Sequence, residues 1–190
     1  AVTWGCDSAP EALELAKSMP FGANLPLAFQ QSQAQQLPFA PKSFDTIIMA
    51  DLVEHLPESL LRAALDEAWR ALKPGGRIII HTMPNLWYYR WGYPLYRLFQ
   101  RIRGISLPRD PRDRWDFSHL HVNEQTPSRL RKTLRACGFR ANVWLELKER
   151  DENPSRLEAG VRSLAHSPVL RPILCNDIFA IGIKSHEDRT

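Results

Sequence analysis

Cysteine is scarce: Cys6, Cys137 and Cys175 are scattered, odd in number, and spaced for neither a disulfide framework nor a metal site. Such usage favours a reducing cytoplasm. No run of about 18 uncharged apolar residues occurs, which excludes a membrane-spanning helix. An Asn-x-Ser/Thr glycosylation acceptor is also absent, since Asn153 is followed by Pro154. There is no internal repeat and no low-complexity tract. The initiator methionine is missing as well. The chain opens on Ala1-Val2-Thr3-Trp4-Gly5-Cys6-Asp7, which reads as a buried strand. Proteins seldom begin in mid-sheet, so the natural polypeptide is expected to extend upstream.

What remains is an ordinary globular composition, 44% apolar and 24% charged over 190 residues, enough for one domain with a proper core. The charge is uneven. Arg90, Arg97, Arg101, Arg103, Arg109, Arg112 and Arg114 face only Asp110 and Asp113 between Leu86 and Trp115, so the whole excess behind the net +4 sits in one stretch. Lysine is absent there and no nucleic-acid recognition motif accompanies it, so a nucleic-acid partner is not expected.

Strand and helix signals alternate along most of the chain, which makes the class α/β with a mainly parallel sheet in right-handed crossovers. Ser8 with Glu11 has capping-box spacing and starts a helix over Ala9–Ser18. Leu25–Gln31 and Phe44–Ala50 read as strands, the second apolar enough to be covered on both faces. Glu58–Leu72 repeats Leu61, Ala64, Leu65, Ala68, Trp69 and Leu72 at helical period and stops at Lys73-Pro74-Gly75-Gly76. Arg77–Met83 is a fourth strand. Thr126 caps another helix, with Pro127 at its first position and Gly138 just past its end. Val143, Leu145 and Leu147 alternate as a strand, Asp177–Lys184 is the last one, and Ser185–Thr190 is a tail. Lys148–Pro172 is a polar, proline-punctuated connection, and Pro84 to Ser118 an aromatic and arginine-rich insertion.

A family likeness emerges from six short patterns in order. They are Gly5-Cys6-Asp7-Ser8-Ala9-Pro10-Glu11-Ala12-Leu13, Leu37-Pro38-Phe39, Ser43-Phe44-Asp45, Val53-Glu54-His55-Leu56, Leu72-Lys73-Pro74-Gly75-Gly76-Arg77 and Leu134-Arg135-Ala136-Cys137-Gly138-Phe139. Together they resemble the later part of a class I S-adenosylmethionine-dependent methyltransferase, most similar to the small-molecule branch that includes ubiquinone-biosynthesis-type enzymes. The resemblance implies a Rossmann-like sheet ordered 3-2-1-4-5-7-6 with the last strand antiparallel. This chain would supply strands two to seven and lack the first strand and its Gly-rich turn. These residues alone are therefore not expected to assemble a full cofactor site for S-adenosylmethionine.

Asp7 ends its strand, where an acid can accept two hydrogen bonds from ribose hydroxyls, and Ser8 adjoins it. The competing role for Asp7 is charge complementarity at a helix start. Gln33 and Ala34 stand where the resemblance implies Asp-Ala on the adenine; a Gln amide can accept and donate there, or simply be a solvated loop residue. Asp45 begins its strand and is structural. Ala50 and Asp51 lie at the productive end, the first approaching the cofactor's methionine part; Asp51 or Glu54 would line the site, with a surface role open for Glu54. His55 suits a base for a hydroxyl acceptor, or a backbone contact. His119 and His121 share one face of an extended segment; His119 faces substrate, or else lies in the core or at the surface. A metal there would need a third ligand, with Asp116 the near candidate, and none is expected.

In the insertion, Pro94 opens a helix whose Leu95, Leu98, Phe99 and Ile102 form one apolar stripe, ended by Gly104. Packing onto the domain as a lid is one fate; lying on an anionic membrane is another. Methyl transfer to a small or lipid-like acceptor, at oxygen or carbon, is the leading functional expectation. A non-catalytic binding module of the same fold, membrane-peripheral through the insertion, is the second. The Asn/Asp-Pro-Pro-aromatic signature of base-directed enzymes does not follow Ala50, where Asp51-Leu52-Val53 stands.

Overall fold

The computed structural model describes residues 2–19, 26–114, 118–147, 160, 163, 164 and 167–185. The tail 186–190, Asp116 and much of the polar connection lie outside the described residues.

The strands sort into two sheets. β1 (Thr3–Asp7) and β2 (Leu27–Gln31) pair in parallel, Asp7 opposite Gln31. β3 (Phe44–Ala50), β4 (Leu72–Thr82), β5 (Arg140–Glu146) and β6 (Asp177–Ile183) form a second sheet ordered β3-β4-β6-β5. β3 and β4 run parallel, and β6 is antiparallel to both its neighbours. The fold is α/β and Rossmann-like, with the last strand reversed. One strand of the expected order is not among the described residues, the one that would stand between β1 and β3, and no ladder joins those two.

That break explains two departures. β1 is exposed rather than buried, with Trp4 41% accessible, because among the described residues β2 is the one strand paired with it. β3 is covered on one face only: Met49 is buried while Ile48 is 68% accessible. An aromatic chain links the sheets instead, Trp4 against Phe39 at 5.3 Å and Phe39 against Phe44 at 4.8 Å, both edge-on.

Helix α1 (Pro10–Ser18) follows β1, and its cap differs from the one expected. Ser8 caps nothing with its side chain; the Asp7 carboxylate accepts from the Ala9 amide at 2.8 Å. Ala9 rather than Ser8 occupies the capping position, which leaves the Ser8 hydroxyl one residue too far back, and the acid takes the Ala9 amide. Helix α2 (Glu58–Ala71) buries Leu61, Ala64, Leu65, Ala68 and Trp69, the stripe its period demands. β4 begins at Leu72, five residues before the expected Arg77, because the Pro-Gly-Gly turn is itself held: the Gly75 amide donates to the Lys184 carbonyl and the Lys184 amide to the Gly76 carbonyl. Lys184 is buried, donating its ammonium to the Trp69 and Leu72 carbonyls at the end of α2.

After β4 a π-helical turn (Tyr88–Gly92) leads into α3 (Tyr93–Ile102). The face that packs is not the expected stripe. Tyr93 is buried and its hydroxyl donates to the Pro108 carbonyl, while Leu95, Leu98 and Ile102 point outward. Helix α4 (Pro127–Ala136) is capped as expected, Thr126 Oγ1 accepting from the Arg129 amide at 3.1 Å, and Gly138 takes φ +82° past its end. No helix of the described residues is long and apolar enough to cross a membrane.

Candidate active site

In an open parallel sheet, ligands bind beyond the carboxyl ends of the strands. Here those ends carry Asp7 on β1, Ala50 and Asp51 on β3, and His81 and Thr82 on β4.

Asp7 is exposed, with Oδ1 engaged by the Ala9 amide. Its main chain carbonyl accepts from the Ser32 amide, and the Ser8 carbonyl accepts from Gln31 Nε2, so the turn after β1 is tied to the end of β2. Gln33 is exposed and bridges Gln36 in antiparallel fashion; its Oε1 accepts from Gln35 Nε2 at 2.7 Å. Ala34 packs against the core. The loop that follows is bolted to α2. The Leu37 amide donates to Glu67 Oε1, and Arg70 donates to the Leu37 and Phe39 carbonyls and to Glu67. That hydrogen bond from Arg70 holds the Glu67 carboxyl below its usual range.

Asp51 adopts φ +50°, a left-handed conformation that Asp tolerates better than most residues. Two contacts hold it there: its amide donates to the His81 carbonyl at 3.0 Å and its Oδ1 lies 2.8 Å from His81 Nδ1. The other ring nitrogen, Nε2, lies 3.0 Å from Asp177 Oδ1, and the ring packs on Phe179 at 4.6 Å. A neutral imidazole donates to only one carboxylate; an imidazolium donates to both. His81 and Asp177 were not singled out from sequence. The signal was a polar residue at the carboxyl end of the apolar run Ile78-Ile79-Ile80.

Glu54 is 1% accessible, which overturns the surface role left open for it. It sits in a 3₁₀ turn (Val53–His55), and the buried Thr82 hydroxyl donates to its Oε2 at 2.6 Å. Beside it His55 is half-buried, with Nδ1 3.2 Å from the Leu120 carbonyl and its ring edge-on to His121 at 4.9 Å. His119 and His121 do not share an extended face: His119 lies exposed in a 3₁₀ turn (Ser118–Leu120), and the His121 ring meets His55. The turn rotates successive side chains apart, where an extended segment would align them.

The structure thus brings Asp7 and Ser8 together with the loop of Gln33 and Ala34 beyond β1 and β2, and sets Ala50, Asp51 and His55 at and after the end of β3, with His119 in the separate turn Ser118–Leu120. Neither of two surface concavities includes the predicted cofactor residues. One, of about 240 Å³, lies between Trp87, Arg131, Trp144 and Arg171, and the other beside Trp91 and Leu95.

Residues 1–80 match the family model described as a methyltransferase domain. With the strand order above, the chain is similar to the class I methyltransferases. It is 28% identical over 139 residues to a demethylmenaquinone methyltransferase of Deinococcus radiodurans, covering 72% of this chain and 57% of that protein. A ubiquinone/menaquinone biosynthesis C-methyltransferase of Rhizobium leguminosarum is 43% identical over 54 residues, covering 28% of this chain and 20% of that protein. The chain therefore spans little more than half of one of these relatives and a fifth of the other. Among solved structures, an S-adenosylmethionine-dependent methyltransferase of Methanosarcina mazei shares the fold at a TM-score of 0.61, with 19% identity over 97% of this chain and 83% of that one.

Proposed function

We propose that this chain forms the adenosine-binding and acceptor-facing parts of an S-adenosylmethionine-dependent methyltransferase acting on a small or lipid-like acceptor. The observation that carries the proposal is the exposed Asp7 carboxylate at the carboxyl end of β1, next to the loop of Gln33 and Ala34. The adenosine end fits: Asp7 keeps Oδ2 for a ribose hydroxyl and Gln33 offers amide chemistry to a purine edge. At the methionine end the Ala50 backbone is the group placed to meet the cofactor, and no Gly-rich cradle is found among the described residues.

The cofactor supplies a methyl group on a sulfonium, whose departure as a neutral thioether requires no acid. The chain's task is to align the acceptor and keep water out. Asp51, fixed by His81, stands at the edge where the two meet. Whether the acceptor atom is a hydroxyl oxygen or a ring carbon, one proton leaves as the methyl arrives, and His55 is the group placed to take it. The quinone-biosynthesis names of the relatives support an acceptor of that lipid-like class.

Asp7→Asn tests this. The amide oxygen still accepts from Ala9, so the fold is kept, but the charge and the second acceptor are lost. Charge-assisted hydrogen bonds are worth about 1.5–3 kcal/mol, so S-adenosylhomocysteine should bind the complete natural protein about 10–100-fold more weakly by calorimetry. Equal affinity in both proteins sinks the assignment, and no binding by either favours the non-catalytic module.

A lipid-like acceptor also gives a use to the outward stripe of the insertion. Trp91, Leu95, Leu98 and Ile102 are 55, 57, 59 and 78% accessible and recur at helical spacing, flanked by exposed Arg90, Arg97 and Arg101 one position earlier. An apolar ridge with a cationic flank matches an anionic lipid surface. Co-sedimentation with phosphatidylglycerol vesicles should be salt-sensitive and fall at least about tenfold in Leu98→Asp/Ile102→Asp. Binding that ignores both salt and the substitutions contradicts the membrane role and points to a protein partner.

A further inference from the structure

The contact between His55 and His121 is unexpected from sequence and is not required by methyl transfer. Together with Glu54 these side chains place one ligand-type atom each within 4.8 Å of one another, the one such trio of His, Cys, Asp or Glu among the described residues. Three further features point the same way. The first is orientation. His55 Nδ1 faces the Leu120 carbonyl at 3.2 Å, and a backbone carbonyl accepts only from N–H, so Nδ1 carries the proton and Nε2 keeps its lone pair. A carbonyl behind one ring nitrogen is the usual way a ligating histidine is aimed.

The second feature is Glu54. At 1% accessibility it has the Thr82 hydroxyl on Oε2 and, among the described residues, no Lys or Arg beside it. A carboxylate withdrawn from water without a cation is costly, and a divalent ion at Oε1 removes that cost. The third is rigidity. The Asn123 amide donates to the Glu54 carbonyl and Asn123 Nδ2 to the Leu56 carbonyl, so the segment carrying His121 is laced directly to the turn carrying Glu54 and His55.

We infer that Glu54, His55 and His121 form a binding site for a first-row divalent cation, best suited to zinc. Two imidazoles and one carboxylate are a donor set zinc takes readily, with water or a substrate oxygen completing the tetrahedron. Ligand atoms bound at about 2.0–2.2 Å around such an ion stand about 3.4 Å apart, so the trio, now within 4.8 Å, must draw in by up to about 1.4 Å. Half-buried imidazoles at the ends of short turns can make that move. Binding does not depend on the methyl-transfer assignment. If both hold, the ion occupies the Nε2 lone pair and replaces His55 as the means of keeping an acceptor oxygen deprotonated.

The test uses untagged, chelator-treated protein. Zinc titration by calorimetry should give one site per chain with micromolar or tighter dissociation, and cobalt should give the intense visible absorption of a four-coordinate ion. In imidazole NMR spectra, zinc should shift two histidine rings, those lost from the spectra of His55→Ala and His121→Ala. Either substitution should weaken binding more than about 100-fold, since loss of even an outer partner costs about 10–100-fold. His119→Ala should leave affinity unchanged. Millimolar affinity in the unsubstituted protein, octahedral cobalt spectra, or loss of the site in His119→Ala with retention in His55→Ala overturns the inference. The calorimetric and cobalt measurements on the unsubstituted protein need no variant, so a substitution that fails to fold leaves the test intact. S-adenosylhomocysteine binding, measured separately, shows whether the methyltransferase assignment stands or falls on its own.

Discussion

Gly92→Ala should destabilise the protein by about 3 kcal/mol or more, with the loss concentrated where the insertion meets the C-terminal strand. Gly92 ends the π-helical turn at φ −75°, which any residue can adopt, so backbone freedom is not why glycine stands there. Close approach is. A methyl group built on its Cα overlaps the Ile173 carbonyl oxygen and lies 2.8 Å from Tyr88 Cδ2. Ile173 belongs to a short helical turn (Arg171–Leu174) that runs straight into β6, so its carbonyl cannot yield without moving the strand that carries Asp177. Overpacking against flexible side chains costs about 1–3 kcal/mol; here the obstacle is main chain on one side and an aromatic ring on the other. Gly104→Ala is the useful contrast. Nothing lies within 4 Å of its added methyl, but φ is +79°, so only the left-handed backbone penalty of about 1–2 kcal/mol applies. Urea denaturation of both variants separates the two mechanisms. A Gly92→Ala protein within about 0.5 kcal/mol of the parent means that the turn and strand are not packed as described.

What could be read from sequence was what periodicity and end signals encode locally. The α2 stripe and the Thr126-Pro127 start and Gly138 end of α4 follow from residues near one another in the chain, whereas the reversed direction of β6 was implied only by the family resemblance. The site was legible only in part, since its partners meet through the fold. His81 became important through Asp51 and Asp177, which belong to neighbouring strands. Glu54 looked like a surface acid because its helical turn is short and polar; its burial comes from Thr82 at the end of another strand. The pairing of His55 with His121 needed the 3₁₀ turn at Ser118–Leu120, which turns His119 away from its alternating neighbour. The apolar stripe of α3 was correctly located, but its period says nothing about whether it faces core or solvent, and Tyr93 with its Pro108 contact decides that.

Asn85 is the residue whose loss should matter most outside the helices, and nothing in its local sequence announces it. It is fully buried at the point where β4 gives way to the insertion. Its Nδ2 donates to the Pro172 and Cys175 carbonyls, both at 2.9 Å, and its Oδ1 accepts from the Trp87 amide at 3.1 Å. Its own amide donates to the Asn176 carbonyl, and the next amide, of Leu86, donates to the Gln125 carbonyl. One side chain therefore satisfies three main-chain groups from two segments. Asn85→Leu fills the same volume and satisfies none of them. Each buried group left without a partner costs about 1–3 kcal/mol, and partial relaxation brings the expected total to about 3–5 kcal/mol by urea denaturation. Asn85→Asp should be at least as damaging at neutral pH, because a carboxylate turns a lone pair toward two carbonyl oxygens that need donors. Its deficit should shrink as pH falls. The folded environment favours the protonated acid, so its folded pKa lies above the unfolded one, and folding takes up a proton that acid conditions supply. A leucine variant within about 1 kcal/mol of the parent, or an aspartate variant whose deficit grows on acidification, would show that water rather than Asn85 satisfies these carbonyls.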